Sequence, residues 1–267
     1  MAAKPLAHLP SRARPATWIE RFLVPLIGII ALTTGWWVLS NFIPALLLPS
    51  PLAVVSRLAQ QATNGVAMQY LWPTVGPALL GVGIALVVSL VLGIVATHSR
   101  LLAALIEPWV ALSQTVPLVA IAPLLVLWLG YGAIPISVLC AIVAFFPMVT
   151  TTIVGFRQLD STVLEQATLD APSTTQRLVY VELPMAAPAI LAGVRSGAVL
   201  GMTGAIVGEF VMGGTGLGTL LTLSRQASDT VGVFTVIAWI SAVAMALYGL
   251  VALAERAASN RVQGEQQ

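Results

Sequence analysis

Residues 108–156 read PWVALSQTVPLVAIAPLLVLWLGYGAIPISVLCAIVAFFPMVTTTIVGF, without one Asp, Glu, Lys or Arg. A helix that crosses the hydrocarbon core of a bilayer needs about 20 predominantly apolar residues. This stretch is too long for one crossing, and GYGA at 130–133 supplies the turn that divides it. Outward from it, the segment between Arg57 and Arg100 is again free of charge. Over the whole chain 58% of residues are hydrophobic and 8% are charged, against about 25% charged in a typical soluble domain. A soluble chain of this size could not cover its surface with so few charges. Lipid as the solvent removes the problem.

The sequence therefore predicts an all-α polytopic membrane protein with about six transmembrane helices. The spans are placed at 22–43, 74–97, 102–129, 134–156, 186–209 and 231–254. Residues 1–21 are polar and basic and read as a cytoplasmic tail. Residues 22–256 form the transmembrane domain, and 257–267 a second cytoplasmic tail. The first apolar run is longer than the roughly 7–15 residues of a signal-peptide core, so it reads as a retained span.

Orientation follows from Lys and Arg, which are enriched in cytoplasmic loops. Six spans put Lys4, Arg12, Arg14, Arg21, Arg100, Arg157, Arg177, Arg256 and Arg261 on one side. Only Arg57 and Arg225 fall on the other, and Arg195 lies inside the fifth span. Both termini are expected in the cytoplasm, in a cell inner or plasma membrane. The net charge of +2 says little about partners, and no nucleic acid is expected among them.

Two outer segments are more than turns. In PSPLAVVSRLAQQATNG, Pro51 suits the first position of a short surface helix. In GGTGLGTLLTLSRQ the apolar residues predict a segment dipping toward the bundle. A phosphate cradle is excluded there, since no strand precedes it and no GK[ST] follows. Cys140 reads as a small buried apolar side chain, and His98 as an interfacial residue rather than a ligand. No metal site and no cofactor are expected.

Prolines 77, 108, 117, 123, 135 and 147 interrupt the spans. Kinked membrane helices need neighbouring groups or water to satisfy the freed carbonyls. Ser113, Gln114 and Thr115, beside Pro117, are candidates for a translocation pathway. Ionisable residues inside membranes are costly and functional by default, and Glu107, Arg195 and Glu209 qualify. Glu107 reads as interfacial. Arg195 either snorkels to the cytoplasm or lines the inner half of a pathway. Glu209 either pins the outer loop to a neighbouring span or faces an external partner.

The charges that remain are clustered. Arg157, Asp160, Glu165, Asp170, Arg177 and Glu182 all fall in the loop at 157–185. Pro172 splits it into two short helices. The first carries Val163, Leu164, Ala167 and Leu169 at roughly helical spacing. The second opens on a capping box formed by Ser173 and Gln176. Pro184 is expected to close it and Pro188 to open the fifth span. A mere connection needs only a few residues, so the loop either docks a partner or lies on the membrane surface.

The loop resembles the EAA loop of binding-protein-dependent ABC transporter permeases, whose pattern is E-A-A, three residues, G, a spacer and L-P. Here it reads Glu165-Gln166-Ala167, Ala171 and Leu183-Pro184. Gln166 replaces an alanine and Ala171 the glycine, with Pro172 directly after. PSPLAVVSRL, FFPMVTTTIVGFR, GEFVMGGTGLG and LAERAASNR are similar to the nitrate, sulfonate, taurine and bicarbonate permeases of that family. The resemblance implies a type I ABC importer permease bundle that works as two copies in the lipid bilayer. It implies a cytoplasmic ABC ATPase subunit that receives the coupling loop and an extracytoplasmic solute-binding protein that delivers cargo. Glu165 and Arg177 would make polar contacts with the ATPase, and Ala167 and Ala171 would allow close approach. ATP hydrolysis is expected on the separate subunit. The cargo implied is a small solute such as a sulfonate, nitrate or taurine. The rival readings are an ATP-independent secondary transporter, which would carry mid-membrane relays and an inverted repeat, and a membrane scaffold.

Overall fold

The computed structural model of the chain describes residues 18–113, 117–169 and 173–264, which are helical almost throughout, with no strand among the described residues. The chain divides into two compact units, Met1–Ala53 and Val54–Gln267. In the first, α1 spans Trp18–Phe42. It starts inside the expected tail because no helix breaker lies between Pro15 and its first turn. Leu23, Ile27, Ile30 and Leu32 leave it apolar and exposed, as suits a helix whose solvent is lipid. After α1 the chain folds back, and the Trp36 indole donates to the Pro49 carbonyl at 3.0 Å. Helix α2, Pro51–Thr63, begins at the expected proline.

The second unit has four long helices among its described residues. Helix α3 spans Val66–His98. After it come α4, Arg100–Ser113, and α5, Leu118–Leu129. Helix α6 spans Ala133–Arg157 and α7 Ser161–Leu169. Helix α8, Thr174–Arg177, runs through a π-turn at Leu178–Glu182 into α9, Leu183–Met212. Helix α10, Leu217–Gln226, and α11, Thr230–Gly264, complete the chain. The last helix continues past residue 256, where a tail was expected.

Among the described residues, five helices are long and apolar enough to cross a membrane. The expected span 102–129 is not one helix but two, α4 and α5, each too short alone. Pro117 caps α5 in an extended conformation, φ −68° and ψ 112°. A proline cannot donate to a preceding turn, and it drives the residue before it out of the α region. The direction of the neighbours shows that this stretch still runs the height of the bundle. Gly81 of α3 faces Cys140 of α6, and Gly93 faces Thr152, so α3 and α6 run parallel. The chain between them must travel back. Val110 of α4 clusters with Val149 and Ile153, while Ala122 and Leu125 of α5 cluster with Leu139 and Cys140. The break thus falls midway along α6. GYGA does turn the chain into α6, with Gly130 at φ 76° and Gly132 at φ 124°, conformations that glycine adopts without a Cβ penalty.

Helix α9 packs antiparallel to α6 along a glycine seam. A Cβ on Gly208 would lie 3.3 Å from the Ile136 side chain. One on Gly204 would lie 3.2 Å from the Cys140 Cα. Gly197 and Gly193 face Met148, and Gly155 of α6 returns the fit against Ala189. Small residues let membrane helices approach closely, which replaces the hydrophobic drive that lipid does not supply. Cys140 is fully buried in this seam, as expected of a small apolar side chain.

Pro184 and Pro188 do not separate a loop helix from a span. Helix runs unbroken from Thr174 to Met212, 39 residues. The π-turn accounts for this: the Leu183 N–H donates to the Leu178 carbonyl, five residues back. A ladder already shifted by one residue accommodates the ring and missing donor of the next residue, Pro184.

Candidate functional site

The chain ends of α3, α6 and the start of α9 meet at one end of the second unit, beside the charged loop. There Leu178 and Leu183 pack on the buried side chains of Phe156, Ala186 and Ile190. The capping box opens α8 as the sequence predicts: the Ser173 Oγ accepts from Gln176 N–H at 3.3 Å, and Gln176 Oε1 accepts from Ser173 N–H at 2.9 Å. Of the residues placed in the coupling loop, Glu165 is exposed on α7 and Ala167 half-buried. The side chain of Gln166, and residues Ala171 and Pro172, lie outside the described residues. Pro184 is exposed and Leu183 half-buried.

Arg177 does not stand free. Its Nε donates to Glu182 Oε1 at 2.7 Å, and His98 Nε2 lies 2.9 Å from Glu182 Oε2. Glu182 is 3% exposed. The His98 ring also packs edge-on to Phe156, 6.4 Å between centroids. No pattern in the sequence marks this cluster. Glu182 looked like one more loop charge, and His98 lies at the far end of another helix.

At the opposite end, Glu209 is buried on α9. Its Oε1 accepts from the Thr74 hydroxyl at 2.5 Å. Its Oε2 accepts from the N–H groups of Gly218 and Thr219 at 2.7 and 3.1 Å. The Thr74 hydroxyl oxygen in turn accepts from Leu217 N–H at 2.7 Å. A carboxylate at a helix N-terminus matches both the free N–H groups and the helix dipole. Glu209 therefore holds the start of α10 to α9 and α3. Three of the four glycines of GGTGLG, Gly214, Gly216 and Gly218, face this contact. A Cβ on Gly218 would come 2.8 Å from the Glu209 Cβ, and one on Gly216 would fall on the Thr74 hydroxyl and the carboxylate. Leu217, between them, is fully buried, so the segment dips into the bundle. Beside the clasp, Trp72, Pro77, Ile136 and Thr215 line a cleft. On the same side Arg57 of α2 pairs with Asp229 at the α10–α11 turn.

The remaining pathway candidates are scattered. Arg195 meets Glu255 of α11 at 3.0 Å, an electrostatic approach rather than an aligned hydrogen bond. Its guanidinium also lies 5.1 Å from the centre of the Tyr248 ring, within cation–π range. Pro117 is exposed where α5 begins. Gln114 and Thr115 lie outside the described residues, as do the side chains of Ser113 and Glu107. Among the described residues no group of His, Cys, Asp and Glu is arranged to hold a metal.

The chain is similar to known membrane transport proteins. Residues 89–260 match the family described as binding-protein-dependent transport system inner membrane component. The riboflavin transport system permease protein RibX of Chloroflexus aurantiacus is 36% identical over 94% of this chain and 95% of its own length. The putative aliphatic sulfonates transport permease protein SsuC of Bacillus subtilis is 30% identical, over 95% and 91%. The taurine transport system permease protein TauC of Escherichia coli is 29% identical, over 93% and 94%. Among solved structures, an inward-facing conformation of the MetNI methionine ABC transporter shares the fold, with a TM-score of 0.64 at 16% identity. The match covers 74% of this chain and 98% of that one.

Proposed function

The chain belongs to the binding-protein-dependent family of ABC transporter inner membrane permeases, and on that premise we propose how it works. It is a multi-pass inner membrane protein and the permease subunit of an ABC importer. Two copies form the pathway, with both termini in the cytoplasm. The loop at 157–185 docks on a separate ATPase subunit through Glu165, Gln166, Ala167, Ala171, Pro172, Leu183 and Pro184. A solute-binding protein outside delivers the cargo near the cleft beside Glu209.

The observation that carries this reading is the unbroken helix from Thr174 to Met212. Its first turns belong to the charged loop and its last turns to the clasp at the other end. Movement of a docked partner is therefore applied directly to a helix that lines the core. A ligand shifts such a two-state bundle only by its differential affinity for the two states, and ATP, bound by the partner, is that ligand.

The cargo is a small solute. A sulfonate, nitrate or taurine fits the subgroup resemblance, and the riboflavin named for one relative widens the range. Arg195 is engaged by Glu255 and Tyr248, so it is not held ready as an anion site. Selection of cargo then rests on the binding protein. Co-purification in mild detergent tests the assembly: an ATPase subunit is expected to remain with the chain and to be lost when residues 161–177 are replaced by a Gly/Ser linker. Uptake into proteoliposomes that proceeds without ATP would favour a secondary transporter and refute the assignment.

A further inference from the structure

The cluster of His98, Glu182 and Arg177 has a geometry that a surface loop does not require. In an α-helix, residues five apart are turned by about 140° from each other. Arg177 and Glu182 are five apart, yet they meet at 2.7 Å. They do so because the intervening turn is a π-turn, whose i to i+5 pattern stacks residues at that spacing. The same turn leaves the other oxygen of Glu182 facing the end of α3. There His98 Nδ1 lies 2.9 Å from the Ile94 carbonyl, which can only accept, and Nε2 lies 2.9 Å from the carboxylate. Both ring nitrogens therefore face acceptors. A carboxylate buried this deeply is retained only if both oxygens are matched, and here one is matched from its own helix and one from α3.

We propose that Glu182 is a positioning residue for energy coupling: with His98 and Arg177 it fastens the loop end of the Thr174–Met212 helix to the end of α3, so that both move as one body. This rests on the reading of the chain as an ATP-driven permease. Without the clamp, a docked partner would bend the π-turn, the locally weakest point of the long helix, and leave α3 behind. Arg157 on α6 and Glu165 on α7 are exposed charges of the same loop region.

The test uses the permease purified with its ATPase subunit in nanodiscs. An environment-sensitive fluorophore is placed on Gln226→Cys, an exposed position at the far end of the unit. Cys140 is buried, so labelling is selective. Addition of Mg-ATP is expected to change the fluorescence of the otherwise native protein. Glu182→Gln and His98→Ala are expected to reduce that change roughly fivefold or more, with ATP hydrolysis within about twofold of the parent. His98→Lys, which places an ammonium facing Glu182, is expected to restore it. His98 is partly exposed, so its variants carry the test should Glu182→Gln fail to assemble. Full fluorescence changes in both variants, or a loss that follows hydrolysis in strict proportion, overturn the clamp. A parent assembly that hydrolyses ATP with no fluorescence change overturns the importer reading itself.

Discussion

Two buried carboxylates of the second unit, Glu209 and Glu182, are equally hidden, each 3% exposed, and are satisfied in opposite ways. Glu209 receives a hydroxyl and two backbone N–H groups. These donors are neutral, and two belong to one rigid helix start. Glu182 instead meets the Arg177 guanidinium and the His98 ring, which come from separate segments. Backbone donors fix a loop in one geometry, whereas long charged side chains tie together elements whose backbones stay apart. One end of the bundle is therefore set, and the other is tethered.

The difference can be broken most forcefully at the set end. Glu209→Ala leaves the N–H groups of Gly218 and Thr219 without their acceptor and the Thr74 hydroxyl with only the Tyr70 carbonyl at 3.3 Å, at a cost of roughly 2–5 kcal/mol. A large fall in thermal stability in detergent, with loss of the monodisperse species, is the expected result. An unchanged melting curve would show that α10 is held by its apolar contacts alone. Gly218→Ala attacks the same clasp from the backbone side. Its Cβ meets Glu209 at 2.8 Å and the Ile206 carbonyl at 3.0 Å, and overpacking of this kind costs about 1–3 kcal/mol. The same substitution at Gly130 meets no neighbouring atom but takes a positive φ, so comparing the two melting shifts separates crowding from strain.

At the tethered end the expected effects on stability are smaller. Ser173→Ala removes one half of the capping box and costs about 1 kcal/mol. Faster hydrogen exchange should appear in residues 173–177 and stop at the π-turn. The smallest effect belongs to Arg57→Ala. Its partner Asp229 also bonds the Gly232 N–H at 2.9 Å, and both side chains of the pair are a third or more exposed. An ion pair this exposed contributes about 0–1 kcal/mol. A stability shift that survives high salt would mean that α2 is held there by more than charge.

What could be read in the sequence follows the same division. Spans are legible because lipid asks only for length and apolarity, and each long helix of the bundle contains an apolar run. Glu209 stood out because an acid at the end of such a run has no cheap reason to be there. Its partner Thr74 did not, since 135 residues separate them and a threonine in a membrane helix commonly bonds its own preceding turn. Glu182 was hidden twice. It lay among other charges, and the π-turn moved it to a face that a 3.6-residue period does not predict. The break between α4 and α5 was half legible: Pro117 and its polar neighbours marked a kink, but a single kinked helix and two separate ones share one pattern.

The unbroken helix has a geometric consequence. At 1.5 Å per residue it is about 58 Å long, and a bilayer with its headgroups is about 40–45 Å thick. Held at the Glu209 end, a tilt of about 10° swings its far tip through about 10 Å, nearly the width of a helix. A modest closing motion between soluble subunits could thus be geared down into the few degrees of rotation that a closely packed glycine seam tolerates.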